Sequence, residues 1–220
     1  MNLREAKEIS GNISVSNSKM PGPSYAITAD MCKAGSKLVD VVGSVCNKCY
    51  ALRLEKFRSN VKKAWTSNYL KTMKALDQLF DGSPYVEAMV YQIEKAVKKT
   101  VPYMRWWDSG DLQSPEHLGL VSIIAGRTPD VTHYLPTKER KFVQEFVSSN
   151  ALSSNLVVRV SSPMVDQPPL PVPPGVQTST VHKKSEAFGF ACPARDQGNK
   201  CGECRACWDK TIPNISYPFH

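Results

Sequence analysis

No run of apolar residues in this 220-residue sequence approaches the length needed to span a membrane. The first ten residues, Met1 to Ser10, are polar and of mixed charge, which speaks against a secretory leader. Acidic side chains are in deficit: 20 Asp and Glu stand against 28 Lys and Arg, for a formal charge of +8. Cysteine is absent everywhere except in two groups, residues 32–49 and 192–207. Together these absences exclude a helical membrane protein and a secreted disulfide framework. They lead us to expect a soluble protein of the cytoplasm, with no membrane partner.

In a reducing compartment, seven cysteines in two clusters point to metal or redox chemistry. Buried structural thiols would be scattered instead. The second group is the denser one. Cys192-Pro-Ala-Arg is followed by Cys201-Gly-Glu-Cys204-Arg-Ala-Cys207-Trp208, an unbroken C-x2-C-x2-C run. Thiolates three residues apart on a Gly-containing backbone can all turn toward one centre. The first group is Cys32, Cys46 and Cys49, three ligands that need a fourth from elsewhere or leave a position open. C-x2-C-x2-C favours an iron–sulfur cluster over zinc, which usually takes separated C-x2-C pairs. Two [4Fe-4S] clusters on seven thiolates would lower the net charge to roughly +5. That balance is compatible with nucleic acid as a partner and does not demand it.

The 41% hydrophobic and 22% charged composition is that of a globular chain, and 220 residues predict a single domain. Within it we distinguish an N-terminal cysteine loop segment (1–54), a helical region (55–100), a β/α core (101–185) and a C-terminal cysteine cluster (186–220). A short strand is expected at Ile13 to Val15. Leu54, Phe57, Val61, Trp65, Tyr69, Met73, Leu76 and Phe80 recur every three or four residues, predicting the buried stripe of one amphipathic helix or two in tandem. Asp81-Gly-Ser-Pro should end it. The opposite face, with Lys56, Arg58, Lys62, Lys63, Lys71 and Lys74, reads as a solvated helix surface or a nucleic-acid surface. Val86, Met89, Ile93 and Val97 mark a further helix.

From residue 101 short strands and helices alternate. Strands are expected at 101–107, 131–135, 156–160 and 176–181, with helices at 115–127 and 138–148 between them. Ser114-Pro115-Glu116 supplies an N-cap with proline at the first helical position. Repeated βα order predicts parallel strands, hence an α/β fold with an incomplete (β/α) barrel-like parallel sheet. The helical region precedes this sheet and cysteine-rich segments lie at both ends. Each strand should finish on polar residues: Asp108-Ser-Gly110-Asp111, Thr137-Lys138, Ser161-Ser162 and His182-Lys183. In parallel sheets such ends form one rim where a small-molecule ligand binds. His182 on its own reads as a surface or capped histidine.

Several motifs carry a resemblance. Pro21-Gly-Pro-Ser-Tyr25, Cys32-Lys-Ala-Gly-Ser-Lys-Leu38, Gly43-Ser-Val-Cys46-Asn-Lys-Cys49-Tyr50-Ala51, Arg105-Trp-Trp-Asp108-Ser-Gly-Asp111-Leu112 and the C-terminal cysteine run resemble a bacteriophage protein family known as gene product eighty-eight. That resemblance implies a phage-encoded protein acting in the host cytoplasm. The layout also resembles radical S-adenosylmethionine enzymes, although the thirteen residues between Cys32 and Cys46 depart from that family's C-x3-C-x2-C spacing. The second resemblance implies that Cys32, Cys46 and Cys49 hold a [4Fe-4S] cluster open to S-adenosylmethionine. Gly110 and Asp111 would then receive the amino group, with Tyr50 near the adenine. Cys192, Cys201, Cys204 and Cys207 would hold a fully ligated auxiliary cluster. On this reading Asp108, Asp111 and Lys138 are the candidate catalytic residues, and Gly110, Tyr50, Thr137 and Ser161 the candidate cofactor contacts. The alternative is a zinc-binding module that meets nucleic acid or a host protein without catalysis.

Overall fold

A computed structural model describes residues 1–15, 19–78 and 83–219. Its centre is a seven-stranded sheet in which every neighbouring pair is parallel. The strands are β1 (Ser24–Tyr25), β2 (Tyr103–Trp106), β3 (Thr132–Thr137), β4 (Leu156–Val165), β5 (Gln177–His182), β6 (Phe190–Ala191) and β7 (Asn214–Pro218). Their spatial order is β1-β2-β3-β4-β5-β7-β6, so the sheet is open and the incomplete, barrel-like α/β fold is borne out.

Seven helices accompany it: α1 (Leu3–Ser10), α2 (Lys33–Ser36), α3 (Tyr50–Phe57), α4 (Ser59–Leu76), α5 (Pro84–Val97), α6 (Pro115–Gly126) and α7 (Arg140–Ser149). The period-2 alternation of the strands divides the sheet into two faces. Met104, Trp106, Leu135, Leu156, Val158 and Val160 belong to the hydrophobic core that α5, α6 and α7 complete with Met89, Ile93, Leu118, Ile124 and Val143. The alternate residues Arg105, Tyr134 and Arg159 face the other way, toward the C-terminal segment. Leu118 is fully buried in α6. Leu118→Asp should therefore cost about 3 kcal/mol or more, by placing an unpaired charge in this core. Thermal or urea unfolding checks it.

The structure departs from the expected elements in several places. Residues 13–15 form no strand; Ser14 makes an isolated antiparallel bridge with Ser24. Helix α1 was not anticipated, although Asn2 and Glu5 form a complete capping box at its start. Strands β1 and β6 also escaped a pattern search, since two residues carry no period, and the five-residue β7 was not anticipated either. Strand β4 runs on to Val165, so Ser161 and Ser162 lie inside it and not at its end. The tandem helix does split, at Arg58, into α3 and α4.

The buried face of α3 and α4 is not the expected apolar stripe. Asn68, Thr72 and Ala75 point inward on α4, while Phe57 is 72% exposed. The reason is a polar network that needs this face. Asn68 accepts from the Asn12 amide at 2.9 Å and donates to the Ala26 carbonyl at 2.8 Å, tying two loops to the helix. Thr72 joins the buried hydroxyls of Tyr25 and Tyr85 at 3.2 and 2.9 Å. Phe80 and the Asp81-Gly82 part of the expected helix stop lie outside the described residues.

Candidate metal centre

The first cysteine group sits at the rim made by the carboxyl ends of the strands, whereas the 206–208 turn of the second lies over the sheet face that carries Arg105, Tyr134 and Arg159. After β1 the chain makes a short turn at Ala29–Met31 and delivers Cys32 at the start of α2. The loop 43–45 bonds to the far end of β4, with the Val45 amide donating to the Pro163 carbonyl at 2.9 Å, and so brings up Cys46. Cys49 precedes α3. The thirteen-residue gap is thus closed by a folded loop, as a ligand set of this spacing requires.

The clearest sign of a built site is Gly35. A Cβ there would lie 3.6 Å from the Cys46 sulfur, 3.8 Å from the Cys32 sulfur and 3.1 Å from the Cys32 Cβ. The two sulfurs therefore flank space that a side chain would fill. Burial raises the Cys32 thiol well above its ordinary range, and the nearby charges of Asp111 and Cys49 add to this while Lys138 opposes it. Burial likewise raises Cys46; Lys138 again opposes it, and Cys49, Asp111 and Glu139 add to it. Cys32, Cys46, Cys49, Asp111 and Lys138 thus act on one another electrostatically. Among the described residues, no three His, Cys, Asp or Glu side chains stand close enough together to hold a metal ion as placed.

The polar rim residues differ in their availability. Asp111 is buried, and its carboxyl is pushed up to about 6, chiefly by that burial. One oxygen accepts from the Thr137 hydroxyl at 2.5 Å and from the Leu112 amide at 2.8 Å. The other accepts from the Lys138 amide at 2.9 Å. Asp111 and Thr137 thereby join the β2 and β3 loops, and the Thr137 hydroxyl is engaged there, also accepting from the Glu139 amide at 3.0 Å. Gly110 is at φ +82°, and a Cβ on it would come within 2.8 Å of the Ile27 carbonyl oxygen, so the close approach of the 108–111 loop to the end of β1 needs glycine. Ser109 Oγ and the Trp107 indole nitrogen in the same loop are buried and have no hydrogen-bond partner among the described residues.

Asp108 and Tyr50 form a second group. Asp108 accepts from the Ser24 hydroxyl and pairs with Arg105 at 3.3 Å, while the Tyr50 hydroxyl donates to the Asp108 carbonyl. Ser161 shares a 2.9 Å hydrogen bond with Ser179. His182 meets Ser216 at 2.8 Å and does not enter the three-cysteine neighbourhood.

The C-terminal group is held from below. Cys192 follows β6, and its amide donates to the Ser216 carbonyl at 2.9 Å. Burial raises the Cys192 thiol; the Ala194 amide opposes this, and the nearby Cys201 and Cys204 add to it. Cys207 is deeper; burial pushes its thiol up to about 11, and Tyr217 Oη stands 3.2 Å from its sulfur. Trp208 anchors the turn by donating to the Met104 carbonyl at 2.9 Å and packing edge-on to Tyr103 and Tyr134. Beneath this, fully buried Arg159 donates to five carbonyls: Cys207, Thr178, Ile212, Ala206 and Asp209.

Sequence reasoning missed Arg105, Glu139 and Gly35. Arg105 pairs with Asp108 at 3.3 Å and lies over the Tyr134 ring, and, against the burial that raises the Cys201 and Cys207 thiols, its charge lowers them. An arginine inside a strand flanked by aromatics was the available signal. Glu139, whose carboxylate accepts from the Ala34 amide at 2.6 Å, fixes α2 against β3 and carried no motif of its own.

No helix among the described residues is long and apolar enough to cross a membrane. No curated protein and no solved structure matches the chain. The family model described as Gene product 88 matches residues 2–166, a stretch holding Cys32, Cys46, Cys49 and the whole Asp108–Lys138 rim and ending before the four C-terminal cysteines. With three quarters of its length so matched, the chain belongs to the Gene product 88 family of phage gene products.

Proposed function

We propose that this phage protein binds iron–sulfur clusters at its two cysteine groups, with redox or radical S-adenosylmethionine-like chemistry at the three-cysteine one. The observation that carries the reading is the gathering of Cys32 and Cys46 about the gap at Gly35, with Cys49, Lys138 and Asp111 in the same neighbourhood. The donor set fits: three thiolates would hold three irons of a [4Fe-4S] cluster and leave one for an exchangeable ligand. Cys192, Cys201, Cys204 and Cys207 would hold the second cluster. A bound cluster would supply one-electron chemistry. The chain's own residues supply the surroundings: Lys138 offsets thiolate charge, and Asp111, by tying the β2 and β3 loops together, fixes the rim beside the open position. A zwitterionic small molecule suits that rim.

Anaerobic purification followed by iron, sulfide and zinc analysis tests this. A brown protein with about eight irons per chain is expected. Cys204→Ala should lose about half the iron from the C-terminal group. Gly35→Val, which fills the gap between two sulfurs, should lose the other half. S-adenosylmethionine added to the reduced protein should perturb the electron-paramagnetic-resonance spectrum in the Cys204→Ala variant and not in Gly35→Val. A colourless protein containing zinc would replace this reading with that of a zinc-stabilised module.

A further inference from the structure

We propose that the elbow between α3 and α4 binds single-stranded nucleic acid. This goes beyond the metal reading and does not depend on it. From Lys48 to Lys74 the chain carries eight basic residues and a single acidic one, Glu55. Glu55 cannot act as a surface counter-charge. It is buried, and its carboxylate accepts from the Thr28 hydroxyl and the Ala29 amide, both at 2.7 Å. The nearest acid on the surface, Asp30, is already paired with Lys62 at 2.8 Å. Arg53, Lys56, Arg58 and Lys63 are all exposed, and residues 56–60 are exposed without a break. The elbow thus concentrates nearly all of the molecule's excess positive charge.

Charge alone would describe any solvated helix. The apolar side chains set this surface apart. Tyr50, Leu54 and Phe57 are 63%, 37% and 72% exposed. They stand at i, i+4 and i+7 of α3, which places them along one face. The core makes no use of that face, because α3 turns Ala51 and Glu55 inward instead. At 1.5 Å per residue the stripe is about 10 Å long, the reach of about three nucleotides at 3.4 Å each. Arg53 and Lys56 flank it, and Lys56 lies 6.0 Å from the Phe57 ring centre. Exposed rings between exposed cations are what a strand with unpaired bases requires: stacking for the bases and charge for the phosphates. A duplex hides its base faces and would use the cations alone. The Tyr50 hydroxyl is tied to the Asp108 carbonyl, so this ring is held in place, which suits stacking better than insertion into a lipid surface. Tyr50 follows Cys49 directly, so a strand lying along α3 would end at the three-cysteine rim.

Fluorescence anisotropy with a labelled twelve-residue oligo-dT and oligo-rU provides the test, alongside a duplex of the same length, polyglutamate and phosphatidylserine vesicles as competitors. Binding of either single strand is expected, with log affinity falling against log salt at a slope of about −3 for four phosphates. Phe57→Ala should weaken binding about tenfold at an unchanged melting temperature, since its ring is mostly outside the fold. The Lys56→Glu, Lys63→Glu double variant should abolish binding. The same results are expected before and after iron loading, which separates this test from that of the metal sites. Duplex, polyglutamate or vesicles competing as well as the single strands would overturn the proposal, as would a Phe57→Ala variant of unchanged affinity.

Discussion

Replacing Arg159 with methionine is expected to cost about 3–5 kcal/mol and to free the C-terminal cysteine segment from the sheet. The guanidinium is fully buried, and its donors serve five backbone carbonyls at 2.7–3.4 Å, four of them in residues 206–212. Methionine fills similar volume and donates nothing, so these acceptors lose their partner away from water. Lysine should rescue little, because a single ammonium cannot reach carbonyls arranged around a planar fork. Urea unfolding would measure the stability loss. Limited proteolysis would show new cleavage between residues 192 and 212, and iron analysis a loss from the C-terminal group. A variant with wild-type stability and an uncut tail would show that Trp208 and the β7 pairing suffice to hold the segment.

Acid is the second large effect. His117 and His133 are buried, and that burial holds both near 3 in the folded protein against 6.5 when exposed. Each is committed as an acceptor. His117 Nδ1 takes the Gln113 amide at 3.2 Å, and His133 Nδ1 takes the Trp106 indole at 3.2 Å. Between pH 3 and 6.5 the unfolded chain binds more protons at these positions than the folded one. Their contribution is therefore complete above about pH 6.5 and is lost as the pH falls below it, about 4 kcal/mol for the pair between pH 7 and 5. Asp111 runs the other way, since its folded value of about 6 lies above its ordinary 3.8, and it returns about 1 kcal/mol over the same interval. The expected net loss is about 3 kcal/mol. Replacing both histidines with glutamine should remove the loss and reverse the slope, which denaturant titrations at pH 7 and 5 would show.

Much of the sheet could be read from the sequence because β2 to β4 carry apolar residues between helices with clear stops, whereas β5 is mostly polar and follows a proline-rich link in place of a helix. Ser114-Pro115 and Thr-Pro-Asp are physical punctuation, and α6 and β3 follow them closely. The α3–α4 face could not be read this way. Spacing identifies which residues share a side of a helix, not which side is buried, and here hydrogen bonds from Asn68 and Thr72 outweighed the apolar stripe. Spacing alone divided the cysteines into two groups, and the fold carries the first on the loops after β1 and before α3 and the second on the segment between β6 and β7. The roles of Asp111 and Thr137 were not: a carboxyl beside a glycine at a strand end looks the same in sequence whether it is free for a ligand or spent on two loops. Arg105 and Arg159 are the hardest case, since an arginine in a strand ordinarily signals a solvated edge, and both here face a covering segment of the same chain.

The position of β7 sets an order of assembly. It is made after β6, yet it lies between β5 and β6 and is the neighbour to which β6 is bonded. Until residues 214–218 have left the ribosome, β6 has no strand to pair with, and the Cys192 amide lacks the Ser216 carbonyl that fixes it. The three-cysteine group draws its surroundings from residues 32–165, the far end of β4 included, and does not wait for this step. A growing chain can thus complete the surroundings of its first cysteine group early, whereas those of the second are complete only when the last strand slots into the sheet.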